Sequence, residues 1–147
     1  MKKIILAMSL MLAISLPSAL AIDEKEVDPR VLATFKMEFS SARDVQWNVN
    51  ADHTTAKFSL YDQGFTAYFT NEGELIGTAR NILYVQLPLS VIKEIENSFA
   101  KAEITSVTEF TLNGETSYYL HATQKGKKLL LQAFSSGQVS IVKKIKQ

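Results

Sequence analysis

The stretch Val31-Leu32-Ala33-Thr34-Phe35-Lys36-Met37-Glu38-Phe39 decides the fold. Its apolar residues Val31, Leu32, Phe35 and Phe39 fall on one face of a helix. Sixty residues later the spacing returns as Val91, Ile92, Ile95 and Phe99. A pattern that recurs at a fixed interval, with like segments after each copy, predicts one structural unit used twice.

Working outward, Asp28-Pro29 marks the start of the first helix. The Asp28 carboxylate can cap free amides, and proline suits the first helical position. The helix is expected to end near Ser40-Ser41. Val45, Trp47 and Val49 then alternate with polar residues, which predicts a strand with all three on its core side. Asn50 to His53 reads as a turn. Strands follow over about 55–61 and 65–70, joined by Gln63-Gly64. Pairing Asp62 with Phe65 sets Leu60 against Ala67 and Phe58 against Phe69. Asn71-Glu72-Gly73 is a further turn, and a fourth strand covers about 74–79, with Ile82 and Tyr84 as an extension.

The second unit restarts at Leu87-Pro88, with a helix over about 89–99. Strands are expected near 104–110, 116–123, 128–135 and 139–144. Asn113-Gly114 and Lys125-Gly126 supply hairpin turns. Pairing about the latter sets Leu120 against Leu131 and Tyr118 against Ala133. The predicted class is therefore α+β: a tandem repeat of helix plus four antiparallel strands. It gives an antiparallel sheet of about eight strands with two helices on one face. The other face is left open, which antiparallel sheets permit.

The N-terminus has a different character. Lys2 and Lys3 precede a thirteen-residue apolar run, Ile4 to Leu16, followed by Ala19-Leu20-Ala21. This is the architecture of a secretory signal peptide, with cleavage expected after Ala21. The run is shorter than the roughly 20 residues a membrane span needs. Residues 22–28 are acidic and read as a flexible lead-in, and 29–147 as a single domain of two repeats, 29–86 and 87–147. Removing 1–21 leaves 14 basic and 15 acidic residues. Near-neutrality argues against a nucleic-acid partner. The chain has no cysteine, so neither disulfides nor an N-terminal lipid anchor are expected. The expectation is a periplasmic or secreted protein without membrane insertion once the signal is removed.

Pro29-x-Val31 with Phe35 and Phe39, then Ala42-x-Asp44-Val45-x-Trp47, then strand, Gly73 turn and strand, resembles the secreted PepSY-like domains. Those are similar in fold to β-lactamase-inhibitor proteins. Leu87-Pro88-x-x-Val91 and Gly137 echo the pattern over the second half. The second unit departs from it at Ile104-Thr105-Ser106-Val107, where the Asp-Val-x-Trp element is missing. The resemblance implies an envelope module of duplicated helix-plus-sheet fold whose open sheet face can bind a protein. Fold alone does not carry an inhibitory activity over.

Chemical motifs are sparse. His53 and His121 occupy unrelated positions in the repeat, and with no cysteine they do not compose a transition-metal site. Glu72 and Glu74 flank a turn glycine. Gly-x-Ser-x-Gly is absent, and the basic Gln124 to Lys128 segment lacks a P-loop around it. Lys143-Lys144-Ile145-Lys146 reads as protection of a sheet edge. No cofactor or metal is expected. The reading is a non-enzymatic binding module contacting an envelope or secreted protein through the open face. A hydrolase-like enzyme with an unrecognised site and a structural envelope protein are the alternatives. The candidate binding residues are Tyr61, Tyr68, Tyr119, His121, Leu130 and Phe134, with Ser59 and Thr66 beside them, because large rings are favoured interface anchors.

Intact-mass analysis of protein recovered from its own host should give a chain beginning at or near Ile22. A chain retaining Met1 or Lys2 would contradict export with cleavage.

Overall fold

The computed structural model describes residues 21–145. The expected signal peptide lies almost wholly outside them. A short 3-10 turn (Glu24–Glu26) leads into helix α1 (Pro29–Glu38), then strands β1 (Arg43–Val49), β2 (Thr54–Leu60), β3 (Gln63–Phe69) and β4 (Leu75–Ile82). A second 3-10 turn (Tyr84–Gln86) leads into α2 (Leu89–Ser98), β5 (Glu103–Leu112), β6 (Glu115–Gln124), β7 (Lys127–Phe134) and β8 (Val139–Ile145). All strands lie in one sheet in chain order, and every neighbouring pair is antiparallel. Among the described residues no helix is long and apolar enough to cross a membrane.

Both helices cover the same face. The stripe of α1 buries Val31 and Phe35 against Trp47, Ala56, Phe58, Ala67 and Phe69. Phe35 is the hub, 5.0 Å from Trp47 and 5.1 Å from Phe58 between ring centroids, both edge-on, an arrangement aromatic pairs favour. The stripe of α2 buries Val91 and Ile95 against Val107, Tyr118, Leu120, Ala122, Leu129, Leu131 and Ala133. Between the two cores, on the same face, Arg80 Nε donates to Glu109 Oε1 at 2.7 Å. The Arg80 guanidinium also sits 5.9 Å from the Phe65 ring centre.

Each helix is held at its first turns by a glycine-bearing turn of the sheet. Gly73 has φ +97°, and a Cβ there would lie 2.8 Å from the Arg30 backbone. Only glycine permits both the conformation and the approach. Thr34 Oγ1 donates to the Gly73 carbonyl at 2.7 Å. In the other half Gly137, at φ +96°, meets Ser90, whose Oγ donates to the Ser135 carbonyl at 2.8 Å. Asp28 caps α1, accepting from the Arg30 amide at 2.8 Å and from the Arg30 side chain. Those hydrogen bonds hold its carboxyl down at about 2.

Three expectations need correction. Residues 22–28 are docked: Ile22 N donates to the Trp47 carbonyl at 3.0 Å, and Val27 is buried. The apolar pair Ile22 and Val27 anchors a segment whose acids face solvent. The β2–β3 turn is Tyr61-Asp62, both with positive φ, and Gln63 and Gly64 already belong to β3. Phe58 therefore pairs with Phe65 and Leu60 with Gln63. That four-residue displacement is even, so each side chain keeps its face. The β6–β7 register agrees with expectation, with Leu120 opposite Leu131 and Tyr118 opposite Ala133.

Phe35→Ala and Ile95→Ala should each cost about 2–5 kcal/mol, the range for truncating large core residues. Denaturant melts measure this. A loss below about 0.5 kcal/mol at either position, the scale of ordinary surface changes, would mean that its helix is not a core element.

Candidate functional site

The face turned away from the helices is the candidate site. Strand pairing places Gln46 and Asn48 of β1, Thr55, Lys57 and Ser59 of β2, and Thr66 and Tyr68 of β3 on it. Ala79 and Asn81, Thr108 and Phe110, Tyr119 and His121, then Leu130, Gln132 and Phe134 continue across it.

This face has two parts. At its centre Tyr68, Ala79, Phe110, Tyr119 and Leu130 form a third apolar cluster, with Ile76 and Leu112 beside it. The Tyr68 and Phe110 rings meet edge-on at 5.7 Å. Tyr119 Oη accepts from Gln132 Nε2 at 2.7 Å. Burial pushes the Tyr68 hydroxyl up to about 12. Tyr119 is also raised by burial, against hydrogen bonds from Ser117 and Gln132 that lower it. Beside the cluster, reaching from β1 across to β5, lies a half-open trough of about 800 Å³. Gln46, Asn48, Thr55, Lys57 and Thr66 line it, with His53 at one end.

The candidate residues therefore separate. Tyr68, Tyr119 and Leu130 lie on the predicted face but are buried, at 4%, 6% and 8% exposure. The expectation of an open aromatic patch is corrected at these three. Long side chains on adjacent strands overlap diagonally on a twisted sheet, so a row of large residues covers itself. Tyr61 is not on the face: it occupies the β2–β3 turn, 92% exposed. His121 is half-buried and Phe134 is 39% exposed at the far end. Ser59 and Thr66 border the trough as half-buried residues.

His53 differs most from the sequence reading, which took it for an unremarkable turn histidine. It is 9% exposed, its Nε2 is buried without a hydrogen-bond partner, and its ring lies 6.2 Å from that of Tyr68. Burial lowers its pKa, against a smaller opposite effect of Asp52. The neighbouring turn is clamped by Asn71, whose Nδ2 donates to the Asn50 and Ala51 carbonyls and whose Oδ1 accepts from Thr54 Oγ1. A signal was present in the sequence: positions 53, 55, 57 and 59 alternate with the core residues Ala56 and Phe58. That periodicity extends the uncovered face to His53. Among the described residues no group of three or more histidines and carboxylates could hold a metal ion.

No family model matches the chain, and no curated protein matches it. Solved structures do. A BLIP-like protein from Bacteroides fragilis NCTC 9343 superposes with a TM-score of 0.73 at 16% identity, covering 82% of this chain and 88% of its own. A DUF2874 family protein from Bacteroides uniformis ATCC 8492 gives 0.72 at 13% identity, covering 81% and 88%. A protein from Bacteroides eggerthii DSM 20697, provisionally described as periplasmic, gives 0.71 at 13% identity over the same shares. The chain has a BLIP-like fold. At these identities the likeness is one of fold, and none of the three carries the PepSY name.

Tyr68→Ser should destabilise the protein by about 3–5 kcal/mol, as removal of a buried ring does. Tyr61→Ser should stay within about 0.5 kcal/mol. Denaturant melts of the two single variants test this, and equal losses would show that the uncovered face is not self-buried.

Proposed function

We propose that this protein is an exported, non-enzymatic binding module of the cell envelope that meets a protein partner through the uncovered sheet face. The supporting observation is the trough. Among the described residues a whole face of the sheet lacks helical cover, and beside a buried apolar centre it presents Gln46, Asn48, Thr55, Ser59 and Thr66. None of these five side chains appears in a side-chain hydrogen bond among the described residues. Polar groups on a preformed concave surface are suited to hydrogen bonding across an interface. The Ala-x-Ala segment ending at Ala21 and the provisional periplasmic description of one structural relative support the location.

The PepSY-like resemblance belongs to this reading, as does internal duplication. The element order of the first half returns in the second. The register irregularities do too: those at Arg43/Gln46 and Ile104/Ser106 interrupt the β1–β2 and β5–β6 ladders. Those at Tyr68/Phe69 and Leu130/Leu131 interrupt the β3–β4 and β7–β8 ladders.

The test compares two faces. Thr66→Arg places a bulky charge in the trough, and Met37→Arg alters an exposed position of α1. Capture of a partner from envelope extract should be lost with Thr66→Arg and kept with Met37→Arg, with unchanged melting temperatures. Loss with Met37→Arg alone would assign binding to the helical side.

A further inference from the structure

Five exposed lysines stand at one corner of the sheet. Lys125 lies in the β6–β7 turn, Lys127 and Lys128 open β7, and Lys143 and Lys144 belong to the end of β8. Strand pairing sets Lys143 opposite Leu130 and Lys144 opposite Leu129. Lys128 and Lys143 therefore take the uncovered face, and Lys127 and Lys144 the helical one, each pair about 7–8 Å apart on the diagonal. The corner is basic on both faces and at its tip. The ion pairs among the described residues are Arg30–Asp28, Lys36–Glu24 and Arg80–Glu109, so none engages the five. Two acids lie toward this corner. Glu103 shares the cross-strand row of Lys128 but stands beyond Thr123, about 10 Å away at the usual strand spacing. Glu94 of α2 accepts a hydrogen bond from Ser98.

Neither the fold nor the sheet edge accounts for this charge. β7 is an interior strand between β6 and β8, so its two lysines guard no edge. The corresponding hairpin of the first half turns through Tyr61-Asp62 and continues with Gln63 and Gly64. Like charges this close repel one another, and an external anion relieves that repulsion. Taking these five from the 14 basic residues of 22–147 leaves 9 against 15 acidic ones. The molecule is thus polarised, and a negatively charged surface draws this corner in first.

The residue types indicate the kind of surface. Protein interfaces are depleted in lysine and enriched in arginine and aromatic rings, and segments 124–128 and 143–144 contain neither. Arginine forks suit phosphate held at one defined site, and single-stranded nucleic acid needs rings for stacking. Compact ammonium groups set around a protruding corner suit a broad anionic plane. We propose that this corner seats the protein reversibly on a membrane surface rich in phosphate-bearing anionic lipids. The contact is peripheral, because Lys125-Gly126-Lys127 offers no apolar side chain to enter the hydrocarbon. It goes beyond the partner-binding reading and does not depend on it. The trough, from β1 to β5, stays free while β6 to β8 meet the membrane.

Protein purified from its own host is mixed with vesicles of phosphatidylcholine, either alone or with about one-third phosphatidylglycerol, and bound protein is measured by sedimentation. Binding to the anionic vesicles should be about tenfold tighter or more, and should weaken about tenfold when salt rises from about 0.05 to about 0.3 M. Lys127→Gln with Lys128→Gln should weaken it about tenfold. Lys25→Gln with Lys93→Gln removes the same charge from exposed positions elsewhere and should leave binding within about twofold. Thermal melts check that each variant is folded, and Lys143→Gln with Lys144→Gln replaces the first pair if that pair melts early. Equal binding to the two vesicles, binding to neither, or equal losses in the two double variants overturns the inference. Release by inorganic phosphate at constant ionic strength also overturns it, assigning the corner to a small anion. Retention on immobilised heparin or DNA without vesicle binding overturns it in favour of a soluble polyanion.

Discussion

Two helices with one narrow apolar stripe each must be buried on one side of an eight-stranded sheet, and that constraint governs the rest of the molecule. Each stripe spends its apolar surface on the strands directly beneath it. Phe35 gathers Trp47, Phe58 and Phe69 around itself, while Ile95 and Val91 sit on the leucines of β6 and β7. Among the described residues no helix remains for the opposite face. The centre of that face is instead filled by large side chains that bury one another, and ladder irregularities, which bend strands and increase their twist, occur in every second strand pair.

Glycine turns add fixed points between each helix and the sheet. Gly73 and Gly137 lie in the turns before β4 and β8. Each brings backbone against the first turn of a helix, where a methyl group would not fit without displacement. Hydroxyl donors from Thr34 and Ser90 close the same contacts. Asp28 and its link to Arg30 add a charged cap at one helix start. The other helix begins at Pro88 with no side-chain cap. It relies on the fixed backbone angle of proline and on a larger buried aliphatic set.

How much of this could be read from residues alone follows from what each pattern encodes. Alternation encodes which face a side chain takes. Trp47, Leu120 and Leu131 were accordingly legible as core, and so were the strands and both helices. Alternation does not encode whether a face is covered. Tyr68, Tyr119 and Leu130 were placed on the correct side and yet given the wrong exposure, because their burial depends on curvature and cross-strand overlap. Turn chemistry failed at one point. Tyr61-Asp62 adopts left-handed angles that glycine or asparagine normally supplies, so Gln63-Gly64 drew the turn two residues downstream. His53 was hidden for a third reason: a turn residue is presumed solvated, and its burial arises from contacts with Tyr68 across the sheet.

Self-burial at the centre of the uncovered face changes what that face can do. An exposed row of tyrosines would bind by hydrophobic contact and tolerate many partners. Here the rings are already committed to the fold, so they contribute rigidity rather than contact area. On the proposed reading, recognition falls to the polar wing over β1 to β3, whose side chains stand beside that buried cluster. A preorganised polar surface loses little conformational entropy on association. It also penalises any partner that leaves its polar groups unpaired. If the face binds as proposed, its selectivity would come from matching hydrogen bonds across the trough, and its affinity from how completely water is displaced there.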